Sequence, residues 1–475
     1  MNVAFIIPPA AQGQKPAERT AGCTSVVYPM PNIYELTVAA LLEREGHKVD
    51  YFMADISQQP FEEYIEKSAA CCFLFWSVNL SLEADLAALA IIRRLKGSVP
   101  VVFMGPGPTY FTEKMLPDNH CYVVRGEPDL TVAELVKTLE SGGDLSAVAG
   151  ISYRQGDEIK KNPSRPLIKD LDILPFPARH LIEGVSFSNP KLKTRPYTTM
   201  VTSRNCPYQC IYCVPSSLTF AREIEYRADH GIKPPISFRT PENVAAEIEM
   251  LAAQGYKAIA FVDDNFIWNE QRLAAICEPL KKHGIVWGCQ ARVDAITDNI
   301  ARILSESNCQ YVDLGVESFD DEILAFVKKK ITHQQIIDSI KILNKYKVPV
   351  KLNILIGTSP LETKDTIRQT FREARKLNVS QIMFNIVSPF PATEFYKMAK
   401  ENGWIAGGEY VPTDVQRHSI LQYPHLSSRD MEKILFRSNL RFFLNPVFVF
   451  RQLGKFHSFK DFRMAFKALK IKLFG

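Results

Sequence analysis

The chain opens on an apolar run, Val3–Ile7, and then shows apolar residues at helical spacing over Ile33–Arg44, stopping at Gly46, the residue type that most readily ends a helix. Val49–Met53 reads as a second strand, and Cys71–Ser77 and Val101–Met104 are short apolar runs between turn residues, as strands covered on both faces of a parallel sheet are. Leu82–Leu95 and Leu130–Leu139 return to helical spacing. Residues 1–150 thus predict an α/β domain of the doubly wound, Rossmann-like kind, whose ligands sit beyond the carboxyl ends of its strands.

From 151 to 195 the periodicity weakens and prolines accumulate, LDILPFPARHL among them, which predicts a linker. The alternation resumes with strands Thr198–Thr202, Ala258–Val262, Val286–Ala291, Tyr311–Leu314, Lys351–Ile356 and Gln381–Ile386. Between them fall helices Pro241–Gln254, Glu270–His283, Asp298–Ser305, Asp321–Lys329, His333–Lys345 and Lys364–Leu377. Six βα units over 196–396 predict a partial (β/α)6 barrel, since eight units usually take about 250 residues. Residues 397–475 form a separate, helical C-terminal region.

Composition supports a folded chain: of 475 residues 46% are hydrophobic and 23% charged, outside the range of disordered sequences. The N-terminus lacks a secretory pattern and no long uncharged apolar stretch occurs, so a cytoplasmic protein is expected, touching membranes at most peripherally at their inner face. Ten cysteines in a reducing compartment are buried, catalytic or metal-bound rather than paired. Cys23, Cys71, Cys72, Cys121, Cys277, Cys289 and Cys309 are scattered and read as ordinary buried thiols. The net charge of +5 is concentrated at the end, where residues 437–475 hold nine Lys or Arg against the single acid Asp461. That pattern argues against nucleic-acid binding by the whole protein and for a basic tail.

The candidate chemistry lies in TTMVTSRNCPYQCIYC, where Cys206, Cys210 and Cys213 follow the first barrel strand in a C-x3-C-x2-C pattern. Three close thiolates would hold three irons of a cubane and leave the fourth open; a zinc site, the alternative, wants a fourth ligand that is missing nearby. With Tyr212 before the third cysteine, the segment resembles the signature of radical S-adenosylmethionine (SAM) enzymes. The resemblance implies a [4Fe–4S] cluster on these cysteines, SAM bound at its open iron, and a reductant such as flavodoxin or ferredoxin. It extends along the strand ends of 198–396. Gly315, Glu317 and Ser318 match a G-x-E-S pattern whose carboxylate approaches SAM. Asp263 and Asp264 are expected to contact SAM or substrate or to cap a helix, and Arg292 to approach the SAM carboxylate or to pair with Asp294. ILIGTSPLET and SPFPATEFY resemble two further family turns, with Ser359 inserted, Leu361 in a glycine position and Ala392 in another.

An α/β domain ahead of such a barrel resembles the cobalamin-binding subclass, through YPMPNIYELTVAALLEREGHKV, GPGPTYF and RGEPDLTVAELV. On that resemblance Gly105, Gly107 and Thr109 bring backbone to the corrin, while Gly126 and Glu127 close the next loop. Pro108, Pro128 and Asp129 depart from the family pattern. The region lacks D-x-H-x-x-G, so cobalt is not expected to be ligated by histidine, and His120 reads as a surface residue. In the tail, Phe459, Phe462, Phe466, Leu469 and Leu473 fall opposite Lys460, Arg463, Lys467 and Lys470, the arrangement of an interfacial membrane helix; a docked helix and an RNA-binding tail are the alternatives. The expected activity is cobalamin-dependent radical SAM chemistry on an unactivated carbon, C-methylation of a hydrophobic, lipid- or isoprenoid-like substrate. Cyclisation, rearrangement or carbon–carbon coupling without methyl transfer is the alternative within the superfamily. Methylthiolation would want further cluster cysteines, and a lipid- or RNA-binding scaffold with a structural cluster is the reading from outside enzymology.

Overall fold

The computed structural model describes residues 1–443 except 13, 14, 27, 188, 412, 414 and 416. The basic aromatic segment expected at a membrane surface, from 444 onward, lies outside the described residues. Among those described, no helix is long and apolar enough to cross a membrane. Two compact units are formed, one from Met1–Tyr208, Cys213–Asp313 and Tyr346–Pro349, the other from Gln209–Tyr212, Leu314–Lys345 and Val350 onward.

In the first unit, strands β1 (Asn2–Ile7), β2 (Lys48–Met53), β3 (Cys72–Trp76), β4 (Val101–Met104), β5 (Cys121–Val124), β6 (Ile151–Gln155) and β7 (Glu158–Lys161) make a sheet in the order β2-β1-β3-β4-β5-β6-β7. Strands β1 to β5 are parallel, and β6 and β7 add an antiparallel edge. Alternate residues feed two cores: Val3 and Phe5 pack with helices Ile33–Arg44 and Asp129–Ser141, Ala4 and Ile6 with Phe61–Lys67 and Leu82–Lys96. Both faces being covered, β3 is buried at every position, as its unbroken apolar run requires. The stretch read as a linker therefore begins with two strands. They are an edge hairpin turning at Gly156, φ 62°; Ile151, Ser152 and Tyr153 of β6 are buried, while β7 is largely exposed and polar and carries little apolar period.

The same unit holds β8 (Tyr197–Met200), the short antiparallel pair β9 (Ser203–Arg204) and β10 (Ser237–Phe238), β11 (Ala258–Phe261), β12 (Val286–Ala291) and the first part of β13 (Cys309–Glu317). There β8, β11, β12 and β13 are neighbours in that order. In the second unit the end of β13 is followed by β14 (Val350–Ile356) and β15 (Gln381–Ile386), again neighbours in chain order. Helices alternate with these strands as the periodicity predicts. One helix, Ser217–His230, has no apolar stripe to announce it, because Arg222, Glu223 and Glu225 are among its buried residues.

Candidate functional site

The cysteines lie in residues 205–216, which form neither helix nor strand between β9 and helix Ser217–His230. Both ends of this loop are held from one place. Asp263, just past β11 and fully buried, accepts hydrogen bonds from the Thr202 amide (3.0 Å), the Thr202 hydroxyl (2.8 Å) and the Ser203 hydroxyl (2.6 Å). Asp264 accepts from the Ser216 amide and the Thr219 hydroxyl, both at 2.5 Å. Consecutive carboxylates therefore clamp the entry and the exit of the cysteine loop. Loop donors thus engage both carboxylates, and Asn269, not either aspartate, caps helix Glu270–Lys282. Burial pushes the Asp263 carboxyl up to about 6 against the pull of its hydroxyl donors, and burial raises Asp264 too.

Within the loop, Cys206 and Cys213 are partly exposed. Lys233, paired with Glu223 at 2.9 Å, is their common neighbour. Burial opposes its charge, but Glu223 and then the Cys213 and Cys206 thiolates raise its pKa. Arg292 forms a two-point pair with Asp294, 2.9 Å at each nitrogen, and lays its guanidinium 3.5 Å from the centre of the Tyr208 ring. The salt-bridge alternative for Arg292 is thus the one the structure contains, with stacking on the loop added.

Arg204, which the sequence reading passed over, is buried and donates from Nη1 to Glu127 (2.6 Å) and Asp129 (2.8 Å) and from Nη2 to Asp129 (3.0 Å). Arg222 Nε lies 3.2 Å from the same Glu127 oxygen, and the other Glu127 oxygen accepts from the Ile168 amide at 2.7 Å. Both oxygens of Glu127 are therefore engaged by protein donors. The only linear signal for Arg204 was its place between an apolar strand and a cysteine motif.

The glycine loops of the first sheet are packed against one another and against neighbouring turns. Gly105 has φ 104° and ψ −175°, and a Cβ there would stand 2.6 Å from the Ser77 carbonyl oxygen. A Cβ on Gly107 would meet Leu82 at 2.7 Å. Thr109 donates to the Gly105 carbonyl (2.7 Å) and accepts from the Gly126 amide (3.2 Å), and Gly126 lies against Glu225. These residues are close-packed with protein, so their small size serves the packing of adjacent turns. Polar atoms suited to a ligand occur one strand away: Ser77 Oγ and Asn79 Oδ1, at the carboxyl end of β3, are buried without a hydrogen-bond partner. A small crevice of about 20 Å³ lies between the ends of β1 and β3, lined by Ile7, Arg19, Asp55 and Ser81 among others, where the strand order reverses and such folds take ligands. His120 is exposed, as expected of a surface residue.

In the second unit, the Cys210 sulfur lies 3.9 Å from the Lys328 carbonyl oxygen. Glu317 adopts φ 65° and is paired with the buried Lys329 at 2.9 Å, a partner that sequence reasoning missed. A Cβ on Gly315 would fall 2.8 Å from the Lys329 ammonium and 2.9 Å from Glu317, so glycine there makes room for the pair. Ser318 accepts from the Asp320 amide at 3.1 Å and lies 3.3 Å from the Thr370 hydroxyl.

Residues 200–391 match the radical SAM superfamily and residues 19–136 the B12 binding domain. The chain belongs to the radical SAM superfamily, in the subclass that carries a cobalamin-binding domain, and it is an enzyme. It is similar to an uncharacterised methyltransferase of Pyrococcus horikoshii, 28% identical over 97% of this chain and 96% of that one. An anaerobic magnesium-protoporphyrin IX monomethyl ester cyclase of Synechocystis is 24% identical over 78% and 73%, and a hopanoid C-3 methylase of Methylococcus capsulatus 22% over 81% and 71%. Among solved structures, the radical SAM methyltransferase TsrM of Kitasatospora setae shares the fold at TM-score 0.63 and 16% identity, covering 84% of this chain and 76% of that one.

These domains imply a [4Fe–4S] cluster, SAM and cobalamin as cofactors. The residues fit them by chemistry: three cysteines supply the soft donors a cluster takes, and the buried Ser77 and Asn79 oxygens suit an amide-bearing ligand. Among the described residues, no three His, Cys, Asp or Glu side chains are gathered as a metal-holding group, so the fit of the cysteines lies in their type and spacing. Cys71 is exposed and Cys72 buried, and they supply no second thiol group for methylthiolation.

Proposed function

We propose that the chain is a cobalamin-dependent radical SAM methyltransferase that methylates an unactivated carbon of a hydrophobic substrate. The observation that carries this reading is the joint presence of both domain matches in a chain similar, nearly end to end, to a methyltransferase. The hydrophobic substrate is supported by the likeness to a hopanoid methylase. When bound, the cofactors supply one-electron cleavage of SAM and the methyl group. Cys206, Cys210 and Cys213 hold the cluster. Asp263 and Asp264 keep its loop closed at both ends, Glu317, Gly315 and Ser318 orient SAM, and the loop after β3, with the buried Ser77 and Asn79 oxygens, receives the corrin.

The likeness to a cyclase favours one second reading, ring formation without methyl transfer. Incubation of the reconstituted enzyme with methyl-labelled SAM and candidate lipid and tetrapyrrole substrates separates the two. Methylation predicts a product carrying the label. A product that has lost hydrogen and holds no label means cyclisation, and absence of 5′-deoxyadenosine under every condition overturns both.

A further inference from the structure

The Arg204 network joins two parts of the first unit that the sequence separates widely. Glu127 and Asp129 stand just past β5 of the B12-binding domain, whereas Arg204 ends β9 and is separated from Cys206 by Asn205 alone. Asn205 is itself fully constrained. Its backbone is left-handed, φ 81°, its amide donates to the Thr219 hydroxyl (3.2 Å), its Nδ2 donates to the Pro234 carbonyl (3.1 Å), and its Oδ1 accepts from Arg222 Nη1 (2.8 Å). Arg222 in turn lies beside Glu127 and donates to the Ser237 hydroxyl at 3.2 Å. Arg204, Asn205, Arg222, Glu127 and Asp129 are all less than a tenth exposed.

Two arginines and two carboxylates taken out of water gain little over apolar packing of the same volume. What the ionic arrangement adds is direction: a planar fork against a carboxylate has one good geometry. We infer that Arg204 is a positioning residue for the cluster, anchored on Asp129 and Glu127 of the B12-binding domain and setting, through Asn205, where Cys206 presents its thiol. On this account the B12-binding domain is part of the scaffold that shapes the cluster loop. The inference rests on the proposal that Cys206 is a cluster ligand.

The test compares wild-type full-length protein with Arg204→Lys, Arg204→Met and Asp129→Asn, each reconstituted anaerobically. Iron content, the electron paramagnetic resonance signal of the reduced cluster with and without SAM, the unfolding temperature, and KM against kcat for 5′-deoxyadenosine formation are read on each. Lysine keeps the charge and loses the fork, so Arg204→Lys should retain iron, change the SAM-induced shift of the signal, and raise KM for SAM about tenfold, about 1.4 kcal/mol, with a smaller effect on kcat. Arg204→Met should be displaced further, and Asp129→Asn should reproduce the lysine signature from the other domain. Iron loss at an unchanged unfolding temperature counts the same way. Variants with wild-type signals and KM per cluster, lowered only in unfolding temperature, overturn the inference. Wild-type protein that takes up no iron overturns the cluster reading and this one together, and is recognised before any variant is made.

Discussion

Replacing Gly105 by alanine separates two accounts of the glycine loop after β4. If the glycine exists to let a corrin approach, the variant loses cobalamin and stays as stable as wild type. The structure argues otherwise. At φ 104° and ψ −175° the residue occupies a region nearly restricted to glycine, where another residue costs about 1–3 kcal/mol. The new Cβ would also stand 2.6 Å from the Ser77 carbonyl oxygen, a backbone atom that cannot swing aside, and forcing a methyl group into packed surroundings costs about 1–3 kcal/mol more. The expected loss is therefore about 2–6 kcal/mol, present without any cofactor. At about 2–4 °C per kcal/mol for a domain of 150–250 residues, the apo protein should unfold at least about 4 °C lower. Thermal unfolding by circular dichroism, on protein prepared without cobalamin, reads this directly. An apo variant as stable as wild type, impaired only in cobalamin uptake, would refute the packing argument.

Three further outcomes follow from the geometry. Ala392 sits at φ 74°, where a Cβ costs about 1–2 kcal/mol; Ala392→Gly should raise stability to denaturant by about 0.5–1 kcal/mol once the extra unfolded-state entropy of glycine is deducted, and a destabilised variant would contradict the strain. Asp263, pushed up by burial to about 6 from an ordinary 3.8, binds its proton more tightly folded than unfolded. Its contribution is full below about pH 4 and lost as pH rises through 6, about 3 kcal/mol over that interval. Asp263→Asn should flatten this component of the pH–stability profile, and a parallel profile in the variant would discredit it. Cys210→Ala should lose cluster iron after reconstitution, whereas unchanged iron content would remove the cluster assignment.

How much of this was legible beforehand varies with the kind of interaction. The parallel strands of the first sheet and the barrel strands were readable because apolar residues at period two or in unbroken runs report burial locally, and Val101–Met104, Val286–Ala291 and Gln381–Ile386 have the predicted bounds. Helix Ser217–His230 was not, because part of its buried face is ionic and an ionic face looks like a solvated one until its partners are known. The edge hairpin at 151–161 escaped because its buried run, Ile151, Ser152 and Tyr153, is short and broken by a polar residue, and its second strand is largely exposed.

For the site, the linear chain determined what the chemistry can be. Three cysteines at close spacing after a strand, with an α/β domain ahead of them, define the donor set and the superfamily, because ligand type and spacing are local properties. Only the tertiary structure decided what the neighbouring polar residues do. Asp263 and Asp264 hold the cysteine loop, Arg292 pairs with Asp294 and stacks on Tyr208, Glu317 pairs with Lys329, and Glu127 meets Arg204. A buried charge must find its partner wherever the fold brings one, and for Arg204 those partners lie 77 and 75 positions away along the chain. Sequence spacing carries no record of such a pairing, since the free energy that selects it arises only when both groups leave water together.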